Sequence, residues 1–153
     1  MIITIKEMTY KDPPRFAMID KECFTVPWSE KAFEDEYKND IAIYFSAEYA
    51  GECIGYIGFW NVSGEGDITN IAVRKSFRHM GVGSKLIEAV IKKAKDIGIS
   101  ILTLEVRSSN ISAQALYKKY GFEVIGIRKG YYSDNGEDAL IMTKTILLGD
   151  FKI

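Results

Sequence analysis

The chain has 153 residues, 47% of them hydrophobic and 27% charged, which is ordinary for one globular domain spanning 1–153. A formal net charge of -1 gives no electrostatic footprint for nucleic acid or an anionic membrane. A single histidine and two isolated cysteines, Cys23 and Cys53, argue against a zinc site and point to no metal.

In chain order, the N-terminus carries neither a basic leader nor a long apolar stretch. A cytoplasmic protein with reduced thiols is the expectation. Ile2 to Lys6 alternates apolar and polar residues and reads as a strand. Asp12 ahead of Pro13 and Pro14 reads as a cap opening a helix through about Phe24. Ser29 caps a second helix from Glu30 to about Lys38. Two β-rich runs flank Ala50-Gly51-Glu52 as a hairpin, and "GEGD" turns into a third run, Asp67 to Val73. Leu86, Ile87, Val90, Ile91 and Ala94 share one face of a helix from Val82 to Ile97, stopped by Gly98. Ile99 to Val106 is nearly all apolar, as in a strand covered on both faces. Asn110 caps a short helix to about Tyr120, and Phe122–Ile127 and Ala139–Leu147 are the last strands. The order predicts a mixed α/β sheet with helices on its faces.

"VRKSFRHMGVGSKL" runs from such a strand into a helix. It has the wrong spacing for a P-loop, and Leu86 fills the third glycine position of a dinucleotide fingerprint. What remains is a turn and helix N-terminus whose N–H groups converge, a place that favours an anion. A tight turn without any ligand fits the residues equally well.

Two side chains stand out chemically. Glu105 is an acid inside the apolar run "ILTLEVRSSN", so it must be paired, exposed at the strand end or functional. An ion pair with Arg107 is one reading, a general base for an amine the other. Tyr117 falls at the edge of an inward stripe of Ala113, Leu116 and Tyr120, where it either packs or aims its hydroxyl into a groove as a general acid. Phe33, Phe45 and Phe59 read as core and Lys92-Lys93 as a solvated helix face. Tyr131-Tyr132 either lines a groove or anchors its own loop.

Arg78-x-x-Gly81-x-Gly83, with a strand before it and an amphipathic helix after it, resembles the pyrophosphate loop of the GCN5-related N-acetyltransferases (GNAT). That resemblance implies a mostly antiparallel seven-stranded sheet with about four helices, and acetyl-CoA as acetyl donor. It implies that Ile71, Ala72 and Val73 offer backbone groups to the pantetheine arm. The loop residues Arg78, His79, Met80, Gly81, Val82, Gly83 and Ser84 would then hold the pyrophosphate, and Asn110 would also touch the cofactor. "VPWSEKAF", "NIAV", "LEVRSSNISAQALYKKYGF", "YY" and "EDALIM" are similar to the bacterial ribosomal-protein-alanine N-acetyltransferases. By that likeness Glu105 is the base and Tyr117 the acid. Direct transfer in a ternary complex would modify the flexible N-terminus of a small-subunit ribosomal protein, with neither cysteine connected to the cofactor. Acetylation of a small amine, or an acyl-CoA-binding module without catalysis, remain the alternatives.

Overall fold

The computed structural model describes residues 1–146. Leu147, the expected end of the last strand, lies outside the described residues. The elements are β1 (Thr4–Glu7), α1 (Asp12–Cys23), α2 (Glu30–Tyr37), β2 (Ala42–Tyr49), β3 (Glu52–Val62) and β4 (Glu65–Val73). A 3-10 turn (Lys75–Phe77) leads to α3 (Val82–Ile97), β5 (Ile101–Arg107), α4 (Ile111–Lys119), β6 (Glu123–Arg128) and β7 (Ala139–Thr145). The seven strands form one sheet in the order β1-β2-β3-β4-β5-β7-β6. Every pairing is antiparallel except β4 with β5. Those two are joined through α3, as a parallel crossover requires.

Local chemistry explains the helix ends. Ser29 Oγ accepts from Ala32 N–H at 3.1 Å, and Asn110 Oδ1 accepts from Ala113 N–H at 3.1 Å. Gly98, at φ 80°, closes α3 in the left-handed conformation. Asp12 departs from its expected cap role. It is the first helical residue, and its carboxylate takes Thr9 N–H at 2.8 Å and Arg15 Nη1 at 3.1 Å. Pro13 and Pro14 carry no N–H for a cap to serve, so the acid turns elsewhere.

Two apolar clusters lie on opposite faces of the sheet. α3 buries Val82, Leu86, Ile87, Val90 and Ala94 against Phe45, Ile57, Phe59, Leu102 and Leu104. Ile91, expected on that face, is only partly buried. On the other face, Phe16, Ile19 and Phe33 of α1 and α2 pack on Tyr44, Tyr56 and Ala72. That cover stops at β4, so β5 is not buried on both faces. Leu102, Leu104 and Val106 point into the α3 side, while Ile101, Thr103, Glu105 and Arg107 are half-buried on the other. Lys92 is solvated as expected, but Lys93 Nζ reaches Glu7 Oε1 at 3.0 Å and ties α3 to β1.

Candidate active site

The site begins with a fault in the sheet. β4 meets β5 only at Glu65–Ile101, Gly66–Leu102 and Asp67–Thr103, and beyond that the strands part. On its other side β4 carries a bulge. Ile68 faces Phe59 and Asn70 faces Gly58, leaving Thr69 as the extra residue. Thr69 uses the position to bond Gly58 O and Asn70 Oδ1 at 3.3 and 3.0 Å. The fork between β4 and β5 opens into a cleft of about 1120 Å³, bounded by the α3 N-terminus, α4, the α1–α2 connection and the β6–β7 loop.

Ile71, Ala72 and Val73 all line this cleft, but they do not contribute alike. Arg74 N–H bonds Ile54 O. The alternation of an antiparallel ladder then makes Ala72–Tyr56 a hydrogen-bonded pair and turns the backbone of Ile71 and Val73 toward the fork. Ala72 therefore has no free backbone group to offer, contrary to the sequence expectation. Val73 O already accepts from Arg78 Nε at 3.0 Å and from the Cys23 thiol at 3.4 Å. Cys23 lines the cleft as well, which corrects the reading that placed neither cysteine beside the expected cofactor residues. Burial pushes the Cys23 thiol upward, so it is a packed thiol and not a ready nucleophile.

At the floor of the fork, α3 starts without a side-chain cap. Helical bonding begins with Lys85 N–H to Gly81 O at 3.1 Å, and the earlier N–H groups of the turn have no acceptor within the helix. His79 and Gly81 both sit at positive φ, 62° and 84°. Such a conformation is rare for histidine and ordinary for glycine. The two glycines have different reasons. Around a Cβ at Gly81 there is open space, so its φ demands glycine; a Cβ at Gly83 would meet Leu116 Cδ2 of α4 at 3.1 Å. Arg78, His79, Gly81, Val82, Gly83, Ser84 and Asn110 line the cleft. Met80 does not; its side chain is half exposed, which leaves only its backbone for the expected role.

Glu105 and Tyr117 reach the same cleft from β5 and α4. Glu105 does not pair with Arg107. Its Oε1 lies 3.4 Å from Arg128 Nε, while Arg107 is held by Asp134 at 2.8 Å and Glu137 at 3.4 Å. Alternation explains the miss: residues two apart on a strand point the same way but about 7 Å apart, and the loop acids lie closer to Arg107. Burial raises the Glu105 carboxyl, the nearby Asp67 carboxylate raises it further, and Arg128 pulls it down. Tyr117 is almost fully buried, and that burial raises its hydroxyl well above the ordinary phenol value, with Tyr132 adding to the shift. The expected α4 stripe is displaced. Gln114 and Tyr117 are the buried pair, whereas Ala113, Leu116 and Tyr120 are partly buried. Gln114 goes in because its amide donates to Arg107 O and Ser108 O, both at 3.0 Å.

Tyr132 both lines the cleft and anchors its loop, while Asp134, Glu137 and Asp20 were not singled out by sequence. Arg107 stacks 4.0 Å over the Tyr132 ring and, with Asp134 and Glu137, shapes the β6–β7 loop. Glu137 also accepts Ser109 N–H at 2.6 Å, and these bonds hold its carboxyl down at about 2. Thr25 Oγ1 donates to Asp134 Oδ2 at 3.0 Å, joining the α1–α2 connection to that loop. Beside them Asp20, 2% exposed, accepts from the Tyr56 hydroxyl and from Trp28 N–H at 3.0 Å. Tyr56 Oη in turn accepts from Asn70 Nδ2 at 3.1 Å. The signal was present: Asp20 follows Phe16 by four residues, an acid at helical spacing on an apolar face.

The profile of the acetyltransferase (GNAT) family matches residues 14–122. A Bacillus subtilis (strain 168) protein, named provisionally for acetylating the alanine of ribosomal protein bS18, is 41% identical over 143 residues, covering 93% of this chain and 95% of its own. The Escherichia coli (strain K12) [ribosomal protein bS18]-alanine N-acetyltransferase is 34% identical over 145 residues, covering 94% and 97%. The crystal structure of the Escherichia coli ribosomal-protein-S18-alanine N-acetyltransferase superposes with a TM-score of 0.88 at 31% identity, covering 99% of this chain and 100% of that one. With the forked sheet, the uncapped α3 N-terminus and these relatives in agreement, the chain belongs to the GNAT family of acetyltransferases.

Proposed function

We propose that the protein is a cytoplasmic N-terminal acetyltransferase that moves the acetyl group of acetyl-CoA onto the α-amine of a small-subunit ribosomal protein beginning with alanine. The single observation that carries this reading is the fork, which brings free backbone groups, a helix N-terminus, a carboxylate and a buried phenol to one cleft. The relatives' names supply the substrate class.

The residues present fit the donor. Backbone N–H groups from His79 to Ser84 and the positive end of α3 would hold its diphosphate, with Arg78 at the rim. Ile71 and Val73 would meet the amides of its arm, and Asn110 Oδ1 is spent on its helix, leaving its Nδ2 for a contact. When bound, acetyl-CoA supplies a thioester carbon that an amine can attack. Glu105 would take the proton from the acceptor ammonium, directly or through water, and its raised carboxyl suits it to that work. Tyr117 keeps its proton at neutral pH because it is buried, and would protonate the departing thiolate. Arg107 and Tyr132 shape the wall along which the acceptor segment lies. Incubation with acetyl-CoA and peptides of varied N-termini, read by mass spectrometry, tests the reading. Modification of the α-amine of alanine-first peptides is expected. Acetylation confined to internal lysines or to small amines overturns the substrate, and cofactor binding without turnover overturns the enzyme.

A further inference from the structure

Outside the cleft wall, one charged group stands at the vertex of the fork. Asp67 is the last residue of β4 that still meets β5, opposite Thr103. Glu105 lies two residues further along β5 on the face that Thr103 occupies, and this face of β5 is left uncovered by α1 and α2. From the other side comes Arg128. Glu105 faces Ile141 across the β5–β7 ladder, and Ile141 faces Gly126 on β6. Arg128, two residues beyond Gly126 on β6, reaches across β7 to Glu105 Oε1 at 3.4 Å. One carboxylate and one guanidinium thus flank the proposed base from separate strands.

We propose that Asp67 and Arg128 are paired positioning residues for Glu105, with Arg128 fixing the direction of its carboxylate and Asp67 keeping that carboxylate from being neutralised by the guanidinium. The inference rests on Glu105 being the base. A base held only by a guanidinium would be well oriented and a poor proton acceptor. The same base beside a second carboxylate alone would be a better acceptor with no fixed direction. Held by both, Glu105 keeps its orientation and its affinity for a proton. Other charged and titratable neighbours are accounted for: Tyr132 faces Glu105 from the β6–β7 loop, Ile141 on β7 is uncharged, and Arg107 on β5 is engaged by Asp134 and Glu137. The directions of the Glu105 interactions agree, since Asp67 raises its carboxyl and Arg128 lowers it. Asp67 itself is raised by burial and lowered by Arg128, so the three groups act on one another.

The test compares wild type with D67N, which is isosteric, and R128Q, which removes the charge with a shorter polar side chain. Two quantities are read: the acid limb of the kcat/KM–pH profile, and the 13C titration of the Glu105 carboxyl, assigned by its disappearance in E105Q. A base works only when unprotonated, so removing the Asp67 charge should move the limb to lower pH and removing the Arg128 charge should move it to higher pH. About half a pH unit each way is expected for the loss of one neighbouring charge in a partly exposed site. R128K should recover the wild-type limb position with a reduced kcat, because a point charge replaces the directional guanidinium. A merely structural role would lower stability and leave both titrations in place, and that result, or shifts of the same sign in the two variants, overturns the inference. Failure of the base assignment is read separately, as an E105Q enzyme with undiminished kcat/KM.

Discussion

Removing the Tyr56 hydroxyl tests whether the cleft wall depends on a buried acid. Tyr56 is fully buried, and its hydroxyl donates to Asp20 Oδ1 while accepting from Asn70 Nδ2. In Y56F the ring remains, stacked 4.7 Å from Phe16, so no cavity opens. What is lost is a hydrogen bond to a charged acceptor, worth about 1.5–3 kcal/mol. Asn70 is partly buried and water can replace its lost acceptor, so roughly 2 kcal/mol is expected in total, or a fall in Tm of about 4–8 °C. The loss should depend on pH. Burial raises the Asp20 carboxyl above its ordinary value, while Tyr56 and Trp28 N–H pull it down. A raised acid penalises the folded state once pH exceeds its unfolded value, and the penalty is complete above its folded value. Without Tyr56 the folded value rises further, so the variant's deficit is largest at neutral pH. Below the unfolded value, near 3.8, it shrinks toward the ~1 kcal/mol of a neutral hydrogen bond. Urea denaturation at pH 7 and at pH 4 measures both, with an unchanged slope as the control for a comparable unfolded state. A deficit below about 0.5 kcal/mol at pH 7, or one that grows on acidification, would refute the assignment of Asp20 as a charged acceptor.

E105Q should lower kcat/KM by roughly 10²–10⁴-fold, and Y117F should lower kcat by a similar factor with little change in the KM for the donor; steady-state kinetics separates the two. G81A forces an alanine into φ 84° with open space around its Cβ, so about 1–2 kcal/mol of backbone strain is expected. Either the fold bears that strain, seen in thermal melts, or the turn shifts, seen as a raised KM for acetyl-CoA. T25V breaks the bond to Asp134 between the two loops at the cleft mouth. The KM for an alanine-first peptide should rise severalfold while the KM for acetyl-CoA stays put, and a rise in both would show that Thr25 supports the whole cleft.

Much of the architecture was legible because its signals are local. The α3 face repeats at helical spacing, Ser29 and Asn110 cap as their chemistry dictates, and Gly98 stops α3 at positive φ. Errors arose where a residue's surroundings come from distant segments. The apolar run of β5 suggested cover on two faces, but only the α3 side is packed, and the bare side is what admits Glu105 to the cleft. The partner of Glu105 lies 23 positions away on β6, beyond anything spacing along β5 can reveal. Gln114 was drawn inward by backbone carbonyls that a helical wheel does not contain, and Tyr117 packs beside Phe122, which lies beyond the helix. Asp20 was legible in principle, as an acid at core spacing, and its partners were not.

The bulge at Thr69 ties these features into one cause. Before it, Ile68 points into the α3-side core; after it, Ala72 points into the α1-side core. Residues four apart on a regular strand share a face, so the single extra residue has inverted the alternation of β4. Inversion brings Asn70 to the α1 side, where it bonds Tyr56 and accepts from Tyr44 at 3.1 Å, and it sends Ile71 and Val73 to the α3 side. It also coincides with the point at which β4 leaves β5. The same residues laid as a regular strand, with Thr69 taking a ladder position, would keep the parity of Ile68, carry Asn70 into the α3-side core and strip Tyr56 and Tyr44 of their shared partner. Thr69 and Asn70 offset the local loss of ladder bonds with their own hydrogen bonds to Gly58 O and to the two tyrosines. The fork and the polar wall beside it thus meet at one place in β4: the bulge that misaligns the strand against β3 sits where its other edge opens toward the proposed cofactor site.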